Sequence, residues 1–152
     1  MGELRFSDTP DDPPEGYVRI PNRPQVESFT GPYYCRDNGV SMSVGFRVKQ
    51  HHLNIVGVCH GGILAVFADI QGFAMKRETG IYGQTPTIHL GIDYLAPVKL
   101  GDWVHATPET QKATRRMQFY SANIMAGDEI VARCSGIYKL SDKNRAEPTD
   151  QS

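Results

Sequence analysis

Asp69 is the one acid in the run GGILAVFADIQGFAM, from Gly61 to Met75, among side chains that are nearly all small or apolar. An ionised carboxylate buried in such surroundings costs several kcal/mol unless it is paired or hydrogen-bonded. A helix cap, an ion pair, a bond to a strand backbone or plain exposure would each accommodate it. Capping fits poorly, because the acid would sit about two turns inside a helix that starts at Gly61. Lys76 and Arg77 lie seven and eight residues on, beyond the reach of neighbours on one helix face. The functional alternative is a base: a carboxylate withdrawn from water gains basicity and can take a proton from a water molecule.

The residues just before the run supply the complementary half of such chemistry. His60 precedes Gly61 and Gly62. Two glycines at a helix start leave backbone N-H groups free, with no Cβ to keep a ligand away. That end also carries the positive pole of the helix dipole, which would stabilise the oxygen of a polarised carbonyl. Close helix packing would explain the same glycine pair. If both features are functional, the acid two turns along acts on a different molecule from the one held at its own helix start.

The elements that must position these residues are legible from periodicity. Val40, Met42, Val44, Phe46 and Val48 alternate with Ser41, Ser43, Gly45, Arg47 and Lys49, which predicts a strand with one buried face. QHHLNIVGVC, residues 50 to 59, reads as a loop, and a helix is predicted from Gly61 to Lys76 or Arg77. Ile88, Leu90, Ile92 and Tyr94 alternate with Thr87, His89, Gly91 and Asp93 in a second strand. Weaker patterns predict strands over Trp103–Gln111, Arg116–Met125 and Ile130–Leu140, with Pro108 marking an edge or a bulge. Strand, long helix and four strands on short turns give an α+β fold, an antiparallel sheet with one helix on a face. A helix apolar all round needs cover that one sheet cannot supply, so a second copy of the chain is its natural cover.

Composition narrows the function classes. Sixteen Lys and Arg against seventeen Asp and Glu leave a formal charge of -1, which gives no field to attract nucleic acid or an anionic membrane. No apolar run approaches the roughly 20 residues of a spanning helix, and MGELRFSDTP lacks a secretory pattern, so a soluble, cytoplasmic protein is expected. Cys35, Cys59 and Cys134 are odd in number and outside any CxxC spacing, which argues against disulfides and zinc. Cys59 could be a nucleophile, but a buried thiol is the simpler reading. His51, His52, His89 and His105 share no ligand spacing. The 152 residues divide into a Pro-rich arm (1–31), one domain (32–140) and a polar tail (141–152).

NIVGVCHGGILAVFAD, Asn54 to Asp69, resembles the N-x-x-G-x-x-H-G-G-x-x-x-x-x-x-D signature of hotdog-fold acyl-CoA thioesterases of the phenylacetate-pathway (PaaI-like) branch. HLGIDYLAPVKLGD resembles the strand that follows that family's central helix. The resemblance implies a curved sheet wrapped around one helix, paired into a dimer or a dimer of dimers, with sites at the subunit interface. It implies that the Gly61 amide polarises the thioester carbonyl and that Asp69 of the partner acts as general base or nucleophile. Asn54 would position water or thioester, His60 would shape the loop, and Thr87 would orient the water. Strict alternation puts Thr87 on the face opposite Ile88 and Leu90, so this last role requires a bulge.

The substrate would be acyl-CoA, with no cofactor and no metal. Gly62 would help bind it, and its phosphates would meet Lys76 and Arg77 or the group Lys112, Arg115 and Arg116. Phe67, Phe73, Met75 and Tyr82 could shape the acyl cavity, but plain core is the simpler reading for each. Two rivals stand beside hydrolysis. A hotdog hydratase or dehydratase would place a catalytic His before a Pro-Gly helix start, which His51 and His52 do not match. A non-catalytic thioester-binding module would have no use for the acid at 69.

Overall fold

The computed structural model of the protein describes residues 9–21, 26–80 and 85–140, with only the backbone of 76–79. In chain order the strands and helices are β1 (Val18–Arg19), α1 (Val26–Thr30), β2 (Tyr34–Asp37), β3 (Met42–Arg47), α2 (Gly61–Asp69) and α3 (Gly72–Thr79), followed by β4 (Thr87–Tyr94), β5 (Trp103–Ala106), β6 (Glu109–Ala113), β7 (Met117–Ala126) and β8 (Glu129–Lys139). All strand pairs are antiparallel, in the order β1-β2-β3-β5-β7-β8-β4, with β6 also on β7. Among the described residues, strand β4 is therefore an open edge of the sheet.

The helices lie on one sheet face because their buried residues match the buried half of each strand. Leu64, Phe67 and Ala68 of α2 and Ala74 and Met75 of α3 join Val44, Phe46, Val104, Tyr120, Ile124 and Tyr138 of the sheet in one core. In β7 the buried Gln118, Tyr120, Ala122 and Ile124 alternate with less buried neighbours, the period of two that a half-covered sheet imposes. Withdrawing Phe67 alone from water contributes roughly 2 to 3 kcal/mol. Among the described residues no helix is long and apolar enough to cross a membrane.

The sheet carries more strands than periodicity predicts. The predicted strand over Trp103–Gln111 is two, β5 and β6, parted at Thr107 and Pro108, where proline has no N-H to continue the ladder. The short β1, α1 and β2 lie in or beside the proline-rich stretch, where the sequence predicts no regular element. The other face of β3 is also covered: Ser43 is 2% exposed and Gly45 is buried, whereas Val40 is 89% exposed. The cover is Trp103, which leaves no room for a Cβ at Gly45, and the arm, whose Tyr17 packs edge-on against Trp103 at 5.0 Å. Asp11 fastens that arm, accepting from the Tyr34 hydroxyl at 2.6 Å and pairing with Lys49.

The predicted single helix from Gly61 to Lys76 or Arg77 is interrupted after Asp69, at Ile70 and Gln71. Asp69 is thus the last residue of α2 and not an interior one. Nor is the helix covered all round: Gly62, Ala65, Val66 and Asp69, spaced as one helix face, are half-buried or exposed in the single chain. Tyr82 lies outside the described residues.

Candidate active site

The loop before α2 is built by Asn54. Its side-chain Oδ1 accepts from the amides of Val56 at 3.1 Å and Val58 at 3.3 Å, and its N-H bonds the Val58 carbonyl at 2.8 Å. This closes a tight turn in which Gly57 takes φ +83, a conformation that suits glycine. Bonds from the Cys59 amide to Val98 and from the His60 amide to His52, both 2.8 Å, fix the loop to the body. The loop engages Oδ1, and the side-chain N-H groups of Asn54 donate to none of the described residues.

His60 caps the helix, its Nδ1 accepting from the Gly62 amide at 2.8 Å. With Nδ1 as acceptor, the neutral ring carries its proton on Nε2 and offers no free lone pair to act as a base. The same bond occupies the Gly62 N-H, one of the two amides that the glycine pair was expected to leave free. The Gly61 N-H, by contrast, donates to none of the described residues. The Gly61 carbonyl accepts from the Tyr94 hydroxyl at 2.7 Å, and a Cβ at Gly61 would stand 3.1 Å from that ring. Tyr94 thus sets the helix start, a role that strand alternation alone did not reveal.

At the other end of α2 the half-buried Asp69 accepts from the Thr87 hydroxyl, Oγ1 to Oδ1, at 2.6 Å. The β4–β8 register shifts between Thr87 and His89, so Thr87 opposes Tyr138 while Leu90 opposes Gly136 and Ile92 opposes Cys134. Ile88 is the extra residue of this bulge and turns outward, 54% exposed. Thr87 therefore shares the core-side face with Leu90 and Ile92. The Gly61 amide and Asp69 are eight residues apart, about 12 Å along α2 at 1.5 Å per residue.

The chain carries a match to the Thioesterase superfamily model over residues 56–132, and it is 30% identical over 129 residues to a candidate esterase of Pseudomonas aeruginosa, spanning 84% of this chain and 96% of that one. The protein belongs to the thioesterase superfamily. Human acyl-coenzyme A thioesterase 13 is 30% identical over 80 residues, 51% of this chain and 56% of the relative. A mutant of the phenylacetic acid degradation protein PaaI of Thermus thermophilus shares the fold, with a TM-score of 0.66 at 22% identity over 76% of this chain and 97% of that one. This thioesterase-superfamily chain thus has the hotdog architecture that its motif implies, and thioester hydrolysis is its class of chemistry.

Other candidate residues fall into place around that frame. Burial pushes the Cys59 thiol up to about 12 and the Cys134 thiol to about 11, so both stay protonated and unreactive near neutral pH. Among the described residues no group of three His, Cys, Asp or Glu is gathered to hold a metal. Lys112, Arg115 and Arg116 are exposed, and the row Thr87–Tyr138–Gln118–Ala113 across four strands puts them at the same sheet end as Thr87. Lys139, which no sequence pattern singled out, is exposed there too. The side chains of Lys76 and Arg77 lie outside what the structure describes. A groove of about 770 Å³, lined by Asp93, His105, Glu109, Asn123 and Arg133, opens on the opposite sheet face and does not reach Asp69 or Gly61.

His52, next to the loop, is 0% exposed, and burial pulls its pKa down from 6.5 to about 4. Between those values the unfolded chain binds a proton that the folded chain refuses. Stability is therefore full above pH 6.5 and falls as the pH drops toward 4, by roughly 1.4 kcal/mol per unit at most and about 3 kcal/mol in all. Urea midpoints at pH 7.5, 6.0 and 5.0 should decline in that order. His52→Gln should flatten the decline between pH 6.5 and 5, above the range where ordinary carboxylates titrate.

Proposed function

We propose that the protein hydrolyses acyl-CoA thioesters in sites shared by two copies of the chain. The Asp69–Thr87 contact, about 12 Å from a free Gly61 amide in its own chain, carries this reading. The Gly61 amide of one copy polarises the thioester carbonyl. Asp69 of the other removes a proton from water, with Thr87 holding Oδ1 and Oδ2 taking the proton. A preorganised backbone donor at the oxyanion is worth roughly 3 kcal/mol of the barrier. The Asn54 amide hydrogens orient the thioester or the water, and His60 keeps the helix start in shape.

The pairing of copies is supported by the open edge β4 and the half-exposed face of α2 beside it. An eight-residue strand with unpaired backbone groups and the exposed Ile88 and Tyr94 is suited to extension by a second β4. Asp69 is then enclosed by the second copy. Lys112, Arg115 and Arg116, with Lys76 and Arg77, are the cations for the phosphates of coenzyme A. Likeness to an acyl-coenzyme A thioesterase supports that substrate.

The experiment is a screen of aryl, short, medium and long acyl-CoA substrates with free thiol detected. The proposal expects thiol release from at least one class. An enoyl-CoA arm separates the hydratase alternative: loss of the double bond without thiol release would replace hydrolysis as the reading.

A further inference from the structure

We infer that Tyr138 is a positioning residue for Asp69: its buried hydroxyl ends α2 at the acid and holds the carboxylate within reach of Thr87. The inference rests on the proposed role of Asp69 as base. The Tyr138 hydroxyl donates to the Asp69 carbonyl and accepts from the Gly72 amide at 3.0 Å. An uninterrupted helix would give that carbonyl the Phe73 amide. Here Phe73 bonds Ile70 at 2.9 Å, and the tyrosine stands in its place. A side chain inserted into the backbone ladder is a recognised cause of a sharp helix break.

The surroundings are shaped for this insertion. Tyr138 is 2% exposed and stacks on Tyr120 at 5.0 Å with the rings 4° apart. Tyr120 bonds the Ala68 carbonyl at 2.8 Å, one residue earlier. A Cβ at Gly72 would lie 2.9 Å from the Tyr138 ring, and one at Gly136 would lie 2.3 Å from Tyr120. Tyr138 also sits directly opposite Thr87 in the β4–β8 ladder. One residue thus sets both partners of the acid–hydroxyl contact, the backbone of Asp69 through its hydroxyl and Thr87 through strand pairing. Removing the hydroxyl frees the Asp69 carbonyl for the Phe73 amide, and closing that ladder bond moves the carboxylate relative to Thr87.

The test is steady-state thioester hydrolysis by Tyr138→Phe, Tyr120→Phe, Thr87→Ala, Asp69→Asn and the Tyr138→Phe/Thr87→Ala double variant. Tyr138→Phe should lower kcat about tenfold with KM within about twofold, a misplaced group costing rate more than binding. Tyr120→Phe removes an equally buried hydroxyl and should lose far less. The double variant should fall no more than about twofold below Thr87→Ala alone, because both changes break one contact. Gly72→Ala, which crowds the Tyr138 ring, gives a second reading with the hydroxyl intact and should also lower kcat. Wild-type kcat in Tyr138→Phe, an equal loss in Tyr120→Phe, or losses that multiply in the double variant would overturn the inference. Wild-type turnover in Asp69→Asn would overturn the base role and this inference with it, whereas its loss there beside full activity in Tyr138→Phe sinks the positioning role alone.

Discussion

Asp69→Asn should reduce hydrolysis about a thousandfold while leaving the fold and the association of chains intact. General-base catalysis contributes roughly 10² to 10⁴ in rate, and the amide cannot take the proton. The asparagine retains an oxygen to accept the Thr87 hydroxyl, so the 2.6 Å contact and the end of α2 survive. Removing a negative charge near an anionic substrate does not weaken binding, so KM should stay level or fall. Asp69→Ala should be as inactive and also leave Thr87 without its partner. The check is thiol release at saturating substrate, with circular dichroism and sedimentation showing a native oligomer. Wild-type turnover in a folded variant contradicts the role given to the acid.

Gly61→Pro should cost roughly 10² to 10³ in kcat, the usual loss for one oxyanion donor. Proline suits this position for a structural reason. Gly61 is the first helical residue, where a missing N-H breaks no ladder bond, and His60 before it is extended at φ -63 and ψ 134, as a residue preceding proline prefers. The substitution thus deletes the donor and keeps the helix. Its Cβ stands 3.1 Å from the Tyr94 ring. Gly61→Ala adds the same Cβ and retains the N-H, so it should hold kcat within about tenfold of wild type. Equal losses in the proline and alanine variants would assign the effect to crowding and remove the Gly61 amide from the mechanism.

The parts of this fold and site that depend on neighbours in sequence were legible without a structure. The glycine pair after His60, the isolated acid and the alternation in β4 and β7 are local patterns, and each marks its element. The conflict between the alternation of β4 and a role for Thr87 demanded a bulge, and the register shift between Thr87 and His89 is there. What escaped the sequence is set by contacts between distant residues. The break after Asp69 lies where the distant Tyr138 hydroxyl bonds the Asp69 carbonyl and the Gly72 amide, and the propensity of the run itself favours a continuous helix. The occupation of the Gly62 amide depends on the rotamer of His60. The small strands β1 and β2 form because Trp103 and Tyr17 cover the far side of β3, which composition alone reads as a solvated face.

In the proposed site the carbonyl donor and the base come from different chains, and mixing two inactive variants tests that sharing. Gly61→Pro and Asp69→Asn are co-refolded in equal amounts. Each mixed pair then holds one site with both defects and one with neither. Shared sites predict that hydrolysis returns to about a quarter of wild type, since half the pairs are mixed and each has one working site. If mixed pairs form and activity does not return, the donor and the acid act within one chain, and the shared site is contradicted.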